Sequence, residues 1–532
     1  MTTVGSSPDD DEPSPPGAGE ARAVYLAIGV KDWDAVIRLT ERHWPVLSTF
    51  QLHVLRAAAD ALPDSAVARH PRWHYIRLFL HHILLDSVLR PETLTLRRMS
   101  PRPLAAIDAV VKLTIESYAA RTAGSYPAAA AKAREALALL NGDAELKSGA
   151  SRNLVPTILT NLGISFEMAG AWVDARTVLR EAYRVAVEVG DLRSRADAAG
   201  ELALLAALRG DNEELARRIV QWEQAVGGVG AIRMLRGSLH LARAQQLFDA
   251  MRFEDSLVEL DLAERGAGVP WAFIVGHRGV IDAFTGAADT WELLGRLDAA
   301  LVAHPALQTS QGPARFIMDY ARAVILDFAS QPEAALASLQ ETIDAGMRSC
   351  ALGRRAVTLY LAGDYDAAFD ATVPLVTPGV ATERERVEGG TIRAGVALQR
   401  GDLTLAADEF RRAVDLALRN LLVLPLAAVP HEDAIHLTEL AFDPGSAIPP
   451  ELAALLENKR VFPPRPPALA GLTGGEQRVL AELAKGATLA ATATALHLSR
   501  NTVKAHTRGI YRKLGVSGRS DMIAEARRRG LL

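Results

Sequence analysis

The stretch LTGGEQRVLAELAKGATLAATATALHLSRNTVKAHTRGIYRKLGV, Leu472–Val516, decides how this chain is read. Thr473 is placed to cap a helix whose third position is Glu476, so that hydroxyl and carboxylate each satisfy a free backbone N–H. Val479, Leu480 and Leu483 share one face of that helix, and Lys485-Gly486 supplies the cation and left-handed residue that favour a stop. Thr488 then opens a short second helix to about Leu496. His497-Leu498 turns the chain, and Ser499 caps a third helix that runs to Leu514 and is ended by Gly515. Three helices joined by tight turns predict helix-turn-helix geometry.

The third helix has two unlike faces. At about 100° per residue, Val503, Ile510 and Leu514 fall on one stripe with Thr507 beside them, and this stripe is expected in the core. Opposite lie Asn501, Lys504, Ala505, Arg508 and Arg512: four hydrogen-bonding side chains around one small residue that lets a base edge or thymine methyl approach. An isolated helix of this composition reads as a solvated basic face. Within a capped three-helix frame, the same face suits the major groove of duplex DNA.

Charge divides the chain in the same place. Residues 471–532 hold 11 Lys and Arg against 4 Asp and Glu, a net +7; the whole chain is −4, so the remainder carries −11. Only the carboxy-terminal end suits a polyanion, and the acidic remainder is expected to discourage nonspecific phosphate contact.

With these residues in view, the end of the chain, about Leu472 to Leu532, resembles the C-terminal domain of LuxR-type bacterial transcription regulators. The likeness rests on Ser499-Arg500-Asn501-Thr502-Val503-Lys504-Ala505-His506 and Ile510-Tyr511-Arg512-Lys513-Leu514-Gly515-Val516. It implies base contacts from Lys504, Ala505 and Arg508, and phosphate contacts from Ser499, Asn501, Thr502 and Arg512. It also implies a fourth helix near Ser520–Arg529 whose Met522, Ile523 and Ala526 meet a second copy, so that a homodimer reads two half-sites. The chain departs from the family in its second helix, where Ala490, Ala491 and Thr492 replace a polar residue, an acid and Ile. Gly474 and Gly475 replace a Pro and a charged residue. Gly509 interrupts the third helix at a cost of about 1 kcal/mol relative to Ala.

Ahead of this unit, residues 21–440 are rich in Ala and Leu, with few β-branched alternations and hardly any hairpin signals, and read as successive helices. A phrase recurs: a turn residue, a spacer, a large residue, two spacers, then usually Ala. It appears as Gly124-Ser125-Tyr126 with Ala129, Gly170-Ala171-Trp172 with Ala175, Gly295-Arg296-Leu297 with Ala300, Gly363-Asp364-Tyr365 with Ala368, and Gly401-Asp402-Leu403 with Ala406. Looser copies stand at Trp33, Asn212, Phe253 and Pro332. The spacing of roughly 33 to 46 residues is that of helical-pair repeats. Asn161 to Ala186 resembles a tetratricopeptide repeat, which implies a tetratricopeptide-like solenoid whose concave surface takes a protein, a peptide or a small-molecule effector. A non-repeating helical domain is the alternative. The fold class expected is therefore all-α, a helical-repeat solenoid followed by a four-helix LuxR-type helix-turn-helix domain.

The borders follow composition. Residues 1–20, acidic and rich in Pro, are expected to be a disordered tail, and residues 441–470 a Pro-rich linker, with its stiffest part at Val461–Gly471. No run of 18 apolar residues and no signal peptide occurs, so a cytoplasmic protein without membrane contact is expected. One cysteine, Cys350, excludes an internal disulfide. Trp73, Tyr75, Phe79, Trp271 and Phe273 are expected in the core, and His74, His81 and His82 as ordinary histidines. No metal and no cofactor is expected; the phosphate-cradling G-x-x-x-x-G-K-[ST] run is absent, as are G-x-S-x-G and H-E-x-x-H, and no catalytic constellation is found. The sequence thus points to a sequence-specific DNA-binding regulator rather than an enzyme. The alternative is an interaction scaffold whose terminal unit is vestigial or nonspecific.

Overall fold

The computed structural model describes residues 15–85, 104–143, 146, 149–227, 237–265, 271–304, 313–344, 348–376, 381–443, 447–465, 472, 474–496, 498–514, 516, 518–528 and 531–532. Among them every regular element is a helix. None is long and apolar enough to cross a membrane.

The recurring phrase marks helical hairpins. The second helix of a pair begins at its large residue, as in Trp33–Arg42, Tyr126–Gly142, Trp172–Val189, Tyr365–Thr372 and Leu403–Asn420, and the looser copies begin Asn212–Val226, Phe253–Glu264 and Pro332–Asp344. Two residues earlier the backbone turns left-handed, at Gly124 and Gly170 (φ 77° and 74°) but also at Lys31, Met251 and Ser330, where a side chain is carried at φ 58° to 60°. Left-handed backbone costs a side-chain-bearing residue about 1–2 kcal/mol, so the turn geometry is held by the packed helices on either side. The small residue of the phrase is fully buried: Ala129, Ala175, Ala335, Ala368 and Ala406 have no exposed surface. A larger group there would force the paired helices apart.

The Gly295 copy is the exception. Gly295 lies inside the helix Thr290–Ala303, and the turn of this pair is at Gly286 (φ 69°). Asp289 starts the helix by accepting hydrogen bonds from the N–H groups of Trp291 and Glu292 (2.9 and 3.0 Å). That cap outweighs a chance match to the phrase.

First helices of successive hairpins pack on one another in chain order: Val155–Met168, Leu192–Arg209, Ser238–Asp249, Trp271–Thr285, Pro313–Phe328, Arg348–Leu361 and Glu383–Arg400. The row curls until its last member meets Leu192–Arg209. Arg384 fastens this closure. Its guanidinium donates to the Ala207 carbonyl at 3.2 Å and pairs through two N–H groups with the buried Asp249 carboxylate. Toward the amino terminus, Arg72 pairs with Glu41 (2.7 Å) and Asp108 (3.0 Å), while Trp73 Nε1 donates to Glu41 (2.9 Å). Trp73, Tyr75 and Phe79 are core residues, as expected.

Two expected borders move. Residues 1–14 of the acidic tail lie outside the described residues, but the first helix, Ala18–Gly29, already begins within the segment read as tail. The described residues of the segment read as linker are folded as far as Arg465. Pro450–Glu457 is a helix, Leu452, Leu455, Val461 and Phe462 belong to the body's core, and Arg465 pairs with Asp433 at 2.5 Å. A Pro-rich run stops helix propagation, yet nothing in it prevents apolar neighbours from being buried.

Candidate nucleic-acid interface

The carboxy-terminal module has a core of its own. Leu472, Val479, Leu480, Leu483, Ala493, Val503, Ile510, Leu514, Met522 and Ala526 form one cluster separate from those of the body. Four helices supply it: Gly474–Ala484, Leu489–Ala495, Arg500–Leu514 and Arg519–Arg528. Thr488 Oγ1 accepts from the Ala491 N–H (3.2 Å) and Ser499 Oγ from the Thr502 N–H (3.1 Å), so both internal caps are those the sequence predicts. Thr473, His497 and Gly515 lie outside the described residues.

The third helix is placed by its apolar stripe. Val503 and Ile510 are wholly buried, Leu514 nearly so, and Thr507 is tied back by a hydrogen bond to the Val503 carbonyl (2.8 Å). That orientation leaves Lys504 and Arg508 exposed, one turn apart. Thr502 is half-buried and Ser499 exposed at the start of the helix. Asn501, Ala505 and Arg512 lie on the same helix, and their side chains fall outside the described residues.

Three features were not legible as such. Gly509 reads as a flaw, but it is buried, and a Cβ there would overlap the Glu476 carboxylate; a Cβ at Gly475 would meet the His506 ring at 2.9 Å. The glycines thus let the first and third helices approach closely. Thr492, at the position where the resemblance calls for Ile, is fully buried with a hydroxyl that has no hydrogen-bond partner. Arg519 donates to the Leu483 and Ala487 carbonyls (2.6 and 2.8 Å), joining the fourth helix to the negative end of the first.

The fourth helix corrects one expectation. Met522 and Ala526 have no exposed surface and Ile523 is half-buried against the module's core, so the apolar face assigned to a partner copy is used internally. Ser520, Asp521, Ala524 and Arg527 are what the helix exposes.

Residues 470–526 match the family described as bacterial regulatory proteins, luxR family. The carboxy-terminal module is a luxR-family helix-turn-helix domain. Over 61 residues the chain is 43% identical to the probable transcriptional regulatory protein NarL of two Mycobacterium tuberculosis strains, CDC 1551 / Oshkosh and ATCC 25618 / H37Rv. That match covers 12% of this chain and 28% of those proteins, so the chain spans little more than a quarter of the length of these relatives. The likeness belongs to the luxR-type domain and does not reach the helical body.

Proposed function

We propose that this protein is a transcriptional regulator that reads duplex DNA through its luxR-type domain and senses an effector through its helical body. The observation that carries the reading is the exposure of Lys504 and Arg508 on a helix whose opposite stripe is locked into the domain core. In a major groove these two cations and Ala505 meet base edges, while Ser499, Asn501, Thr502 and Arg512 meet phosphates at and beyond the helix start. The name of the mycobacterial relatives, probable transcriptional regulatory protein, supports the same reading. Two copies on adjacent half-sites would meet through the exposed face of the fourth helix rather than through Met522 and Ala526.

The body's part is regulation. An effector that binds one packing of the hairpins better than another shifts the population able to pair on DNA. Equal effector affinity for free and DNA-bound protein would refute that coupling.

Selection of genomic fragments by the purified full chain tests the DNA reading. Recovery of a two-part motif with fixed half-site spacing is the expected result. Binding without sequence preference, unchanged by Lys504→Ala and Arg508→Ala, would instead make the chain an interaction scaffold with a nonspecific terminal unit.

A further inference from the structure

The curled row of inner helices lines a partly open cavity of about 210 Å³. Its wall is unlike the rest of the chain. Five of the chain's 13 phenylalanines line it, Phe248, Phe273, Phe284, Phe316 and Phe328, together with Tyr320. Several of these rings touch: those of Phe248 and Phe284 stack at 5.9 Å, Phe284 meets Phe328 at 5.3 Å, and Phe316 meets Tyr320 edge-on at 5.8 Å.

Charged groups stand among these rings, and the two arginines nearest Glu388 are matched. Arg384 is paired with Asp249, and Arg354 with Asp327. Gln245 turns its amide nitrogen toward Asp249 (3.3 Å) and accepts from His277 Nε2 (2.6 Å). Glu388 makes no hydrogen bond or ion pair with a described residue. It is half-buried and lines the cavity. Burial raises its carboxyl above the ordinary range even with Arg354 and Arg384 nearby. Arg209 and Glu385 add one charge of each sign. With Asp327, which neutralises Arg354 from outside the lining, four carboxylates stand against three guanidiniums, and one negative charge is left over.

A buried, unpaired carboxylate is costly unless a cation or hydrogen-bond donor meets it. Aromatic faces attract cations through their quadrupoles, and a dehydrated site strengthens that attraction. An anionic ligand would face the unpartnered Glu388, and each of the two arginines beside it already has a carboxylate partner. The volume exceeds the ~150 Å³ apolar cavity known to accept benzene, so one substituted ring fits. We infer that this cavity binds a small aromatic ammonium compound, with the rings of the wall around its body and Glu388 as its counter-ion.

As an effector site, the cavity rests on the sensing role proposed above. Val461 and Pro463, which with Phe462 are the last buried residues among those described before the luxR-type domain, are part of its wall, so occupancy bears directly on the segment that leads to that domain.

Calorimetry on the full chain tests the assignment with four probes: 2-phenylethylamine, benzyltrimethylammonium, 2-phenylethanol and 3-phenylpropionate. Both cations are expected to bind at least about tenfold more tightly than the alcohol, and the anion not detectably; this factor is about 1.4 kcal/mol. Glu388→Gln should abolish the cation preference and leave alcohol binding intact. The ranking on the parent protein decides the matter even if that variant fails to fold. Absence of binding by any probe, an alcohol or anion bound as tightly as the cations, or an unchanged preference in Glu388→Gln each overturns the inference. DNA affinity with and without 2-phenylethylamine reads the other link. Cation binding that leaves DNA affinity unchanged would remove the sensing role while keeping the cavity's ligand class.

Discussion

The helical body and the luxR-type domain treat charge in opposite ways. The body carries most of the acidic excess, yet it buries ion pairs at Arg72–Glu41, Arg354–Asp327 and Arg384–Asp249, and uses them to join helices far apart in sequence. The domain closes around an apolar cluster and leaves Lys504 and Arg508 in solvent. A charge that organises a fold must be matched within it, whereas a charge that recognises a partner must remain unmatched until the partner arrives. Glu388, which has no hydrogen-bond or ion-pair partner among the described residues, follows the second rule inside a region governed largely by the first.

The contrast can be broken most severely at the closure. Asp249→Ala leaves the Arg384 guanidinium buried without its partner and should destabilise the body by about 3–5 kcal/mol, measured by denaturant unfolding. If Asp249→Leu with Arg384→Met is no more stable than the single variant, the pair is not what the closure depends on.

Asp191 provides a test by pH. It caps the helix Leu192–Arg209 through the Ser194 N–H (2.9 Å), its other oxygen is buried without a partner, and burial pushes its carboxyl up to about 6. The folded chain thus holds this proton more tightly than the unfolded chain. Its contribution is fully present below about pH 4 and is lost as pH rises through about 6. Asp191→Asn keeps the cap and cannot ionise, so it should exceed the parent in stability by about 2–3 kcal/mol at pH 7. That advantage should vanish below pH 4; a constant offset across this range would rule out titration as its cause.

Exposed charges should show the reverse signature. Lys504→Ala or Arg508→Ala should cost about 1–3 kcal/mol on a selected duplex and relax base preference, with unchanged thermal stability. Arg512→Ala should weaken all duplexes alike. A fall in melting temperature on losing Lys504 would mean that the side chain serves the fold.

The smallest effect belongs to Thr492. Thr492→Val removes a buried hydroxyl without a partner and keeps the shape, so the domain should gain about 1 kcal/mol in thermal unfolding of the full chain.

How far the sequence could be read depended on how local the signal was. The caps at Thr488 and Ser499 and the stripe of Val503, Ile510 and Leu514 are decided within one helix and were legible. So were the hairpin turns, because a large residue followed by a buried Ala describes a contact within one helical pair. Gly509 was legible as a local weakness only, since its use depends on Glu476 from another helix. The same holds for Met522, whose apolar face is visible in sequence while the surface that covers it is not. Gly295 shows that a short phrase yields to a strong cap nearby. The cavity was beyond reach altogether, because Asp249 and Arg384 stand 135 residues apart and meet only when the row of hairpins has curled.

Arg465 has a geometric consequence for the bound state. Its pairing with Asp433 holds Arg465 to the body, and Leu472 already belongs to the domain's cluster. Seven residue steps separate the two, a leash of at most about 25 Å when fully drawn out. Half-sites lie about 34 Å apart on one side of a duplex, so two chains bound there would hold their bodies as close neighbours beside the same groove. The acidic bodies would then crowd one another and the phosphates together, and adding salt would ease that repulsion while weakening the grip of the domains.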